Sequence, residues 1–538
     1  MNEFEKSGGK GQSLINHKRQ LMYVLILLLI MNIGCSSRQQ SATKATGLSD
    51  NFYNVKFYGT KGDGTAVESN AINKAIEAAS KAGGGTVYFP PGNYLTGSIR
   101  LKSNICLFID QGATIIAAAV SKENGYDDEE TGSNNQFQDY GHSHWHNSLI
   151  WGEDINNVSI MGTGRIWAKA LYKDWIDSNE NKQSANKAIS LVRCRNVIIR
   201  DITILQGGWF AILATGVDNF TIDNIKIDTN RDGIDIDCCK NVRISNCLVN
   251  SPYDDGICPK SSFALGYARA TENVTITNCQ VSGYDEGTLL DGTFKRTENP
   301  HYKNRPTGRI KFGTESNGGF KNITISNCVF DYCKGFALET VDGGLLEDVT
   351  ITNITMRDIV NDPIFLRLGS RMRGPAGTPV GQLRRVIISN VIVYNAHPSN
   401  ACTISGIPGH YIEDIRLSNI RILYKGGGAA PEPNRLIPEQ ENKYPEPGMF
   451  GPPPAYGFFI RHAKNIKMND VEISFMNEDA RPPFVFEDVN GIYMSRVTSQ
   501  KKEDVSRFVL KNVSDFQIYK SRDVNEQYIK NIAQGVVD

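Results

Sequence analysis

Short runs in which apolar and polar residues alternate recur along most of the chain, each closed by Asn, Asp or Gly. They read NNVSIMG from Asn156, RNVIIRD from Arg195, DNFTIDN from Asp218, KNVRISN from Lys240, ENVTITN from Glu272 and KNITISN from Lys321. The same signature continues as EDVTITN from Glu347, RRVIISN from Arg384, EDIRLSN from Glu413 and KNIKMND from Lys464. Period-two alternation rich in Val, Ile and Thr predicts a short strand, and the closing residue predicts a turn. The closest copies lie roughly 22 to 26 residues apart, the spacing of a repeat architecture. One such strand cannot bury its apolar face alone, whereas coils stacked in parallel about 4.8 Å apart can. The pattern therefore predicts an all-β, single-stranded right-handed parallel β-helix.

One segment breaks the period. Glu68 to Lys81 sets Ile72, Ala75, Ile76 and Ala79 at helical spacing and is followed by Gly83, Gly84 and Gly85, which predicts an amphipathic helix with a glycine stop. Placed before the first coil, it would cover an edge that would otherwise pair with another chain. Three stretches lack strand pattern and read as loops carried on the coils: Lys122 to His146 (with His142, His144, Trp145 and His146), Tyr284 to Pro306, and the Pro/Gly-rich Gly426 to Pro454. Long insertions on one face of a solenoid commonly shape its binding groove.

The first 50 residues are of another kind. LMYVLILLLIMNIGC, Leu21 to Cys35, follows His17, Lys18 and Arg19; its apolar core of about ten residues is too short to span a bilayer and suits a signal peptide. Ile33-Gly34-Cys35 then Ser36-Ser37 resembles a bacterial lipobox, which makes Cys35 the lipidation site. Ordinary secretion and an uncleaved anchor are the alternatives, since Asn32 stands where lipoboxes carry Leu. The expected organisation is a lipoprotein leader over 1–35, a polar tether over 36–50 and the β-helix domain over 51–538. This implies an exported protein, in the periplasm or on the outer membrane or cell surface, touching the membrane only through its lipid.

A chain of 538 residues, 40% hydrophobic, can bury a large core, and a solenoid lengthens without adding domains. With 58 basic and 58 acidic side chains, it has no basic excess of the kind that nucleic-acid binding uses. Of the 11 cysteines, Cys247, Cys279 and Cys328 fall at one place in three repeats and read as an interior ladder of small apolar residues. Vicinal Cys238 and Cys239 share no metal-ligand spacing with the others. No metal or cofactor is expected, and a monomer is.

The chemistry concentrates between Asn230 and Lys260, NRDGIDIDCCKNVRISNCLVNSPYDDGICPK. At the repeat spacing Asp232 and Asp254 occupy equivalent positions on neighbouring coils, with Asp255 beside them. Carboxylates crowded in this way repel, so one keeps its proton near neutrality while another stays ionised. An acid and a base about 6.5–9.5 Å apart would leave room for a water and predict inverting glycoside hydrolysis. A solvated aspartate ladder or an oxygen-rich calcium site would use the same residues, and Asp235 and Asp237 are equally readable as turn caps.

The opening GDG…AIEAASKAGGGTVYFPPGNYLTGSIRLKSN resembles the N-terminal part of pectin-lyase-like β-helix proteins. With NRDGID and DDGICPKS, the chain from about Val55 to Ser495 resembles glycoside hydrolase family 28, the polygalacturonases. The resemblance implies an inverting hydrolase in which Asp254 protonates the glycosidic oxygen and Asp232 and Asp255 hold the attacking water. It also matches Lys260 to a lysine seen in exo-acting members. Two family features are missing. Gly308 stands where the histidine of a GHG motif is expected, just before GTES. Ala337-Leu338-Glu339 stands where an Arg-Ile-Lys motif binds a uronate carboxylate.

Arg309-Ile310-Lys311 carries the right letters a coil too early, leaving it a coincidence or a basic rim, a rim that Arg367, Arg371 and Arg373 could share. Substrate-contacting candidates are thus Lys260, Asp235, Arg309, Lys311, Glu339, Arg367 and His146. The expected partner is pectic poly- or oligosaccharide, with a rhamnogalacturonan or side-chain linkage favoured over plain polygalacturonate. A non-catalytic glycan-binding β-helix and a β-helix polysaccharide lyase are the alternatives.

Overall fold

A computed structural model describes residues 51–131, 136–173, 184–297, 306–432 and 435–538. The leader, the tether and Cys35 lie outside the described residues. Asn51–Asp538 forms one compact unit, a right-handed parallel β-helix. Helix α1, Ser69–Lys81, buries Ile72, Ala75, Ile76 and Ala79 against the first coil, matching the predicted face. At the far end Gln527–Val537 pairs antiparallel with Phe508–Tyr519, so the charged C-terminal segment folds back onto the last coil. Among the described residues no helix is long and apolar enough to cross a membrane.

The repeat signature maps onto stacked columns. Val197, Phe220, Val242, Val274, Ile323 and Val349 are successive register partners, and all are nearly fully buried. The asparagines second in each run do more than start strands. Asn157, Asn196, Asn219, Asn241, Asn273 and Asn322 all have φ between 54° and 57°, a left-handed conformation that Asn tolerates better than most residues. Each side-chain amide donates to the carbonyl of its predecessor: Asn219 to Asn196 at 3.0 Å, Asn241 to Asn219 at 3.3 Å, Asn273 to Asn241 at 3.0 Å. A second ladder runs Asn327, Asn353, Asn390, Asn419 on the next corner. Cys247, Cys279 and Cys328 are buried at 2, 0 and 1% exposure, in the interior ladder their spacing predicts.

The groove floor is a second face of the solenoid. Its strands are β1 (Ile99–Arg100), β2 (Ile150–Glu153), β3 (Lys187–Val192), β4 (Phe210–Thr215), β5 (Asp232–Asp237) and β6 (Ile257–Lys260). It continues as β7 (Lys311–Phe312), β8 (Phe336–Thr340), β9 (Ile364–Leu368), β10 (Cys402–Ser405) and β11 (Phe458–Asn477). Ile234 and Ile236 point into the core, so Asp235 and Asp237 point out. The flanks of this floor are covered. Trp145 from the first insertion packs with Val192, Trp209, Phe210 and Leu213, and Ile437 and Phe450 from the Gly426–Pro454 insertion pack with Ala337, Phe365, Phe459 and Val485. The coils between, β5 to β7, carry the aspartates.

Asn219→Ala should lower stability by about 1–3 kcal/mol, because it loses a ladder bond on each side and strains a positive φ. Asn219→Gly, which keeps the backbone relaxed, should cost less. Urea midpoints of the two variants check this; equal losses would mean that the ladder, not the backbone conformation, carries the effect.

Candidate active site

Asp232 opens β5, and Asp254 and Asp255 lie in the turn ahead of β6. The stacking pairs Ile234 with Ile257, a register that sets Asp232 level with Asp255 and not, as the repeat spacing suggested, with Asp254, and Arg231 bridges the two coils. Its Nη2 lies 2.5 Å from Asp254 Oδ2 and 3.4 Å from Asp232 Oδ2. Asp254 Oδ1 accepts from the Asp255 backbone N–H at 2.9 Å. The side chain of Asp254 is 24% exposed, while Asp232 and Asp255 are 3 and 1% exposed.

The three carboxyls sit in different fields. Burial, with Asp254 and Asp235 adding repulsion, pushes Asp232 well above the ordinary carboxylate range. Burial acts on Asp255 in the same direction, but Lys311, Arg309 and Lys260 outweigh it and hold Asp255 below that range. Arg309 Nε donates to Asp255 Oδ1 at 2.9 Å, and Lys311 Nζ lies 3.2 Å from Asp255 Oδ2. One carboxyl that keeps a proton and one that stays ionised are the pair that acid–base chemistry requires.

Arg309 and Lys311 are thus neither a surface rim nor a coincidence of letters. Lys311 is the register partner of Ala337, so it stands in the outward column one coil before the place where the carboxylate clamp was expected. Both cations are 2% exposed and spent on internal partners: Arg309 also binds Glu446 at 2.6 Å, and Lys311 lies 3.8 Å from Glu339. Glu339 is buried with both oxygens unbonded, and burial raises it to about 7.

Lys260 lies 3.3 Å from Glu315 and 3.6 Å from Asp235. Burial alone would raise Glu315, but Lys260, His142 and Arg373 hold it well below the carboxylate range. Asp235 has no hydrogen-bond partner on either oxygen, and burial raises it to about 8 against the pull of Lys260. Asp237, by contrast, accepts from the Ser262 backbone N–H at 2.7 Å and from its hydroxyl at 2.5 Å, the turn-holding role.

Two candidates lie elsewhere. Arg367 is no rim residue: it is 1% exposed, donating to Ser405 Oγ, to the Gly406 carbonyl, and to the Glu439 and Gln440 carbonyls of the large insertion. A guanidinium has five donors and no tolerance for being buried without acceptors, so it serves as the anchor of that insertion. His146 stacks on Trp151 and pairs with Glu153 at 2.7 Å, a wall contact away from the aspartates. Its neighbour His142 instead reaches Glu315. Ligand atoms of Asp139, His142 and Glu315 lie within 4.8 Å of one another, but Arg373 already binds Asp139 at 3.1 Å and Glu315 at 2.7 Å. With Arg373 on both carboxylates and Lys260 on Glu315, little is left for a metal ion to neutralise.

Four site residues escaped the sequence: Arg231, Glu315, Tyr444 and Glu446. Arg231 and Glu315 stand inside NRDGID and GTES and were readable there as neighbours of the motif positions. Tyr444 and Glu446 come from the large insertion, where the Tyr444 hydroxyl accepts from Lys311 Nζ at 2.9 Å while its residue remains half-exposed beside the site. No local pattern marks them.

A family model described as "Rhamnogalacturonase A/epimerase, pectate lyase-like" matches residues 52–248. The chain is 25% identical over 441 residues to a probable polygalacturonase of Vitis vinifera, covering 75% of this chain and 81% of that one. It is 25% identical over 410 residues to an exopolygalacturonase of Platanus acerifolia, covering 71 and 92%. Among solved structures, the family 28 exopolygalacturonase of Yersinia enterocolitica superposes with a TM-score of 0.60 at 18% identity, covering 84% of this chain and 79% of that one, a likeness of fold. By these matches the chain is similar to polygalacturonases and, over its first half, to pectate-lyase-like β-helix proteins.

Proposed function

We propose that this protein is an exported glycoside hydrolase that cleaves pectic poly- or oligosaccharide with inversion. The observation that carries the reading is the meeting of Asp232, Asp254 and Asp255 on two adjacent coils, with only Asp254 open to the groove. Asp254 is the general acid and gives its proton to the glycosidic oxygen as the bond to the anomeric carbon breaks. Asp255, ionised, takes a proton from the water whose oxygen attacks that carbon from the opposite face. Asp232 helps hold the water and, in the resting state, keeps the proton that passes to Asp254 once Arg231, which stays charged and cannot relay it, has moved aside. Arg231 Nη2 occupies Asp254 Oδ2 at 2.5 Å, so substrate must displace the guanidinium before the proton is delivered.

The specificity departs from plain polygalacturonate. Ala337 and Glu339 replace the carboxylate clamp, and Arg309 and Lys311 are committed to Asp255, Glu446 and Glu339. A groove whose cations are already paired favours a linkage flanked by a neutral sugar, as in rhamnogalacturonan or a pectic side chain. The family description that includes rhamnogalacturonase supports this reading. The two covered flanks support action on short chains or chain ends.

Digestion of rhamnogalacturonan oligosaccharides and, separately, of oligogalacturonate, followed by NMR of the fresh anomeric signals, tests the proposal. Inverted products should appear first from the rhamnogalacturonan series, and Asp254→Asn should lower kcat by about 10²–10⁴-fold. Glycan binding without turnover would sink the hydrolase reading in favour of a binding protein, and an unsaturated product would favour a lyase.

The activity should follow a bell-shaped pH profile. Its acid limb reports Asp255, depressed by its cations, and its alkaline limb reports Asp232, raised by burial. Lys311→Met removes one of the charges that keep Asp255 ionised, so the acid limb of kcat/KM should move to higher pH while the alkaline limb moves less. An unmoved acid limb would show that another group sets it.

Export through Cys35 predicts that Cys35→Ser moves the protein from the membrane fraction to the soluble exported fraction and abolishes incorporation of labelled fatty acid. Retention in the membrane would point instead to an uncleaved leader.

A further inference from the structure

The edge of the floor that carries Asp232 and Asp254 continues past the catalytic coils. Asn361 and Asp362 precede β9 and Asn400 precedes β10. Asp362 is three coil steps beyond Asp254, on the order of 14 Å at the spacing of stacked strands. Contacts join the two places: Asn361 Nδ2 donates to Glu446 Oε2 at 3.1 Å, and Glu446 in turn binds Arg309, which binds Asp255. Here the Gly426–Pro454 insertion roofs a cavity of about 730 Å³.

The cavity has a built polar floor. Asp362 and Asn400 are each 4% exposed. Asn400 Nδ2 donates to Asp362 Oδ1 at 2.8 Å and to Asn361 Oδ1 at 2.7 Å. This leaves Asp362 Oδ2 and Asn400 Oδ1 buried without a hydrogen-bond partner, an arrangement that costs about 1–3 kcal/mol per group unless something fills it. Phe450 and Phe459 line the same space and offer apolar surface of the kind that the C–H face of a sugar covers.

The charged groups facing the cavity decide what kind of sugar fits. The guanidinium of Arg435 donates to the Pro452 and Phe450 carbonyls at 2.5 and 2.6 Å. That of Arg481 is held by Asp479 at 2.7 and 2.9 Å and by the Pro398 carbonyl at 2.6 Å. The remaining charged side chains are acidic, Asp362 and Glu432. A uronate carboxylate would meet carboxyl groups and cations already engaged. Neighbouring hydroxyls of one sugar, each donating one hydrogen bond, answer both orphaned oxygens. Burial raises Asp362 to about 7, so on the acid side of neutrality it can also donate.

We infer that this cavity is a separate subsite for an uncharged, hydroxyl-bearing sugar, gripped by Asp362 and Asn400 and roofed by the large insertion. The inference rests on the proposed reading of a glycan as substrate and deepens it: the sugar held here belongs to the same saccharide, some residues from the bond that is cleaved.

Saturation-transfer NMR with methyl α-L-rhamnoside, methyl α-L-arabinofuranoside and methyl α-D-galacturonate tests it on the wild type, Asp254→Asn, Asn400→Ala and Ala429→Trp. Ala429 is exposed on the insertion and lines the cavity, so the indole fills the site without touching the core. At least one neutral glycoside should bind wild type and Asp254→Asn alike, lose about three- to tenfold in affinity in Asn400→Ala, as one missing hydrogen bond implies, and lose binding in Ala429→Trp. Neutral-glycoside binding that survives Ala429→Trp, no neutral-glycoside binding at all, or galacturonate binding that Ala429→Trp removes equally, overturns the subsite. Hydrolysis, assayed separately, keeps the two readings apart: the subsite stands if neutral sugars bind through Asn400 in a protein that hydrolyses nothing, and falls if hydrolysis is present without that binding.

Discussion

In-register stacking of parallel coils is the constraint on which everything else in this molecule depends. Once each coil lies directly over the last, a residue position in the repeat becomes a column, and each column must satisfy one physical demand along its whole length. The inward columns must be apolar, hence Val197, Phe220, Val242, Val274 and Ile323 in one line. The corner columns must tolerate a positive φ and leave no polar atom stranded. Asparagine does both, bonding to the copy above and the copy below. Only the outward columns on one face are free to vary, and the chemistry is written there.

That freedom has an electrostatic cost. Asp232, Asp235, Asp255, Glu315 and Glu339 are all buried within a few coils, and so are Arg231, Lys260, Arg309 and Lys311. A buried charge persists only when paired, and the pairing here is uneven. Glu315 and Asp255 each hold two cations and stay ionised, whereas Asp235 and Glu339 each lie beside one shared lysine and rise to about 8 and 7. The site therefore contains ionised and protonated carboxyl groups at the same pH, fixed by who shares which cation rather than by exposure.

The large insertion ties this network to the outside. Arg367 holds its backbone from the floor, Arg461 does so from the next coil but one through the Ile437 and Pro438 carbonyls, and Phe450 lies against both guanidinium groups. From that anchored base the insertion returns Glu446 and Tyr444 to the cations beside Asp255 and roofs the cavity over Asp362. An outward-facing Phe365 or Phe459 makes sense only under such a cover.

What the sequence determined by itself is the periodic part: the coil, the capping helix, the buried cysteine ladder and the meeting of Asp232 with the Asp254–Asp255 pair on neighbouring coils. A repeat of fixed length converts distance along the chain into neighbourhood in space, so these could be read from spacing alone. Tertiary structure alone decided how charge is shared. Arg309 and Lys311 seemed misplaced by a coil because a motif is read along the chain, whereas a side chain reaches across coils to Asp255. Arg367 and His146 were drawn toward the site by residue type, yet burial gave one to backbone carbonyls and stacking gave the other to Trp151. Glu446, Tyr444 and the cavity over Asp362 depend on a non-repetitive insertion folding back over more than a hundred residues of chain, and no period in the sequence records where such a loop comes down.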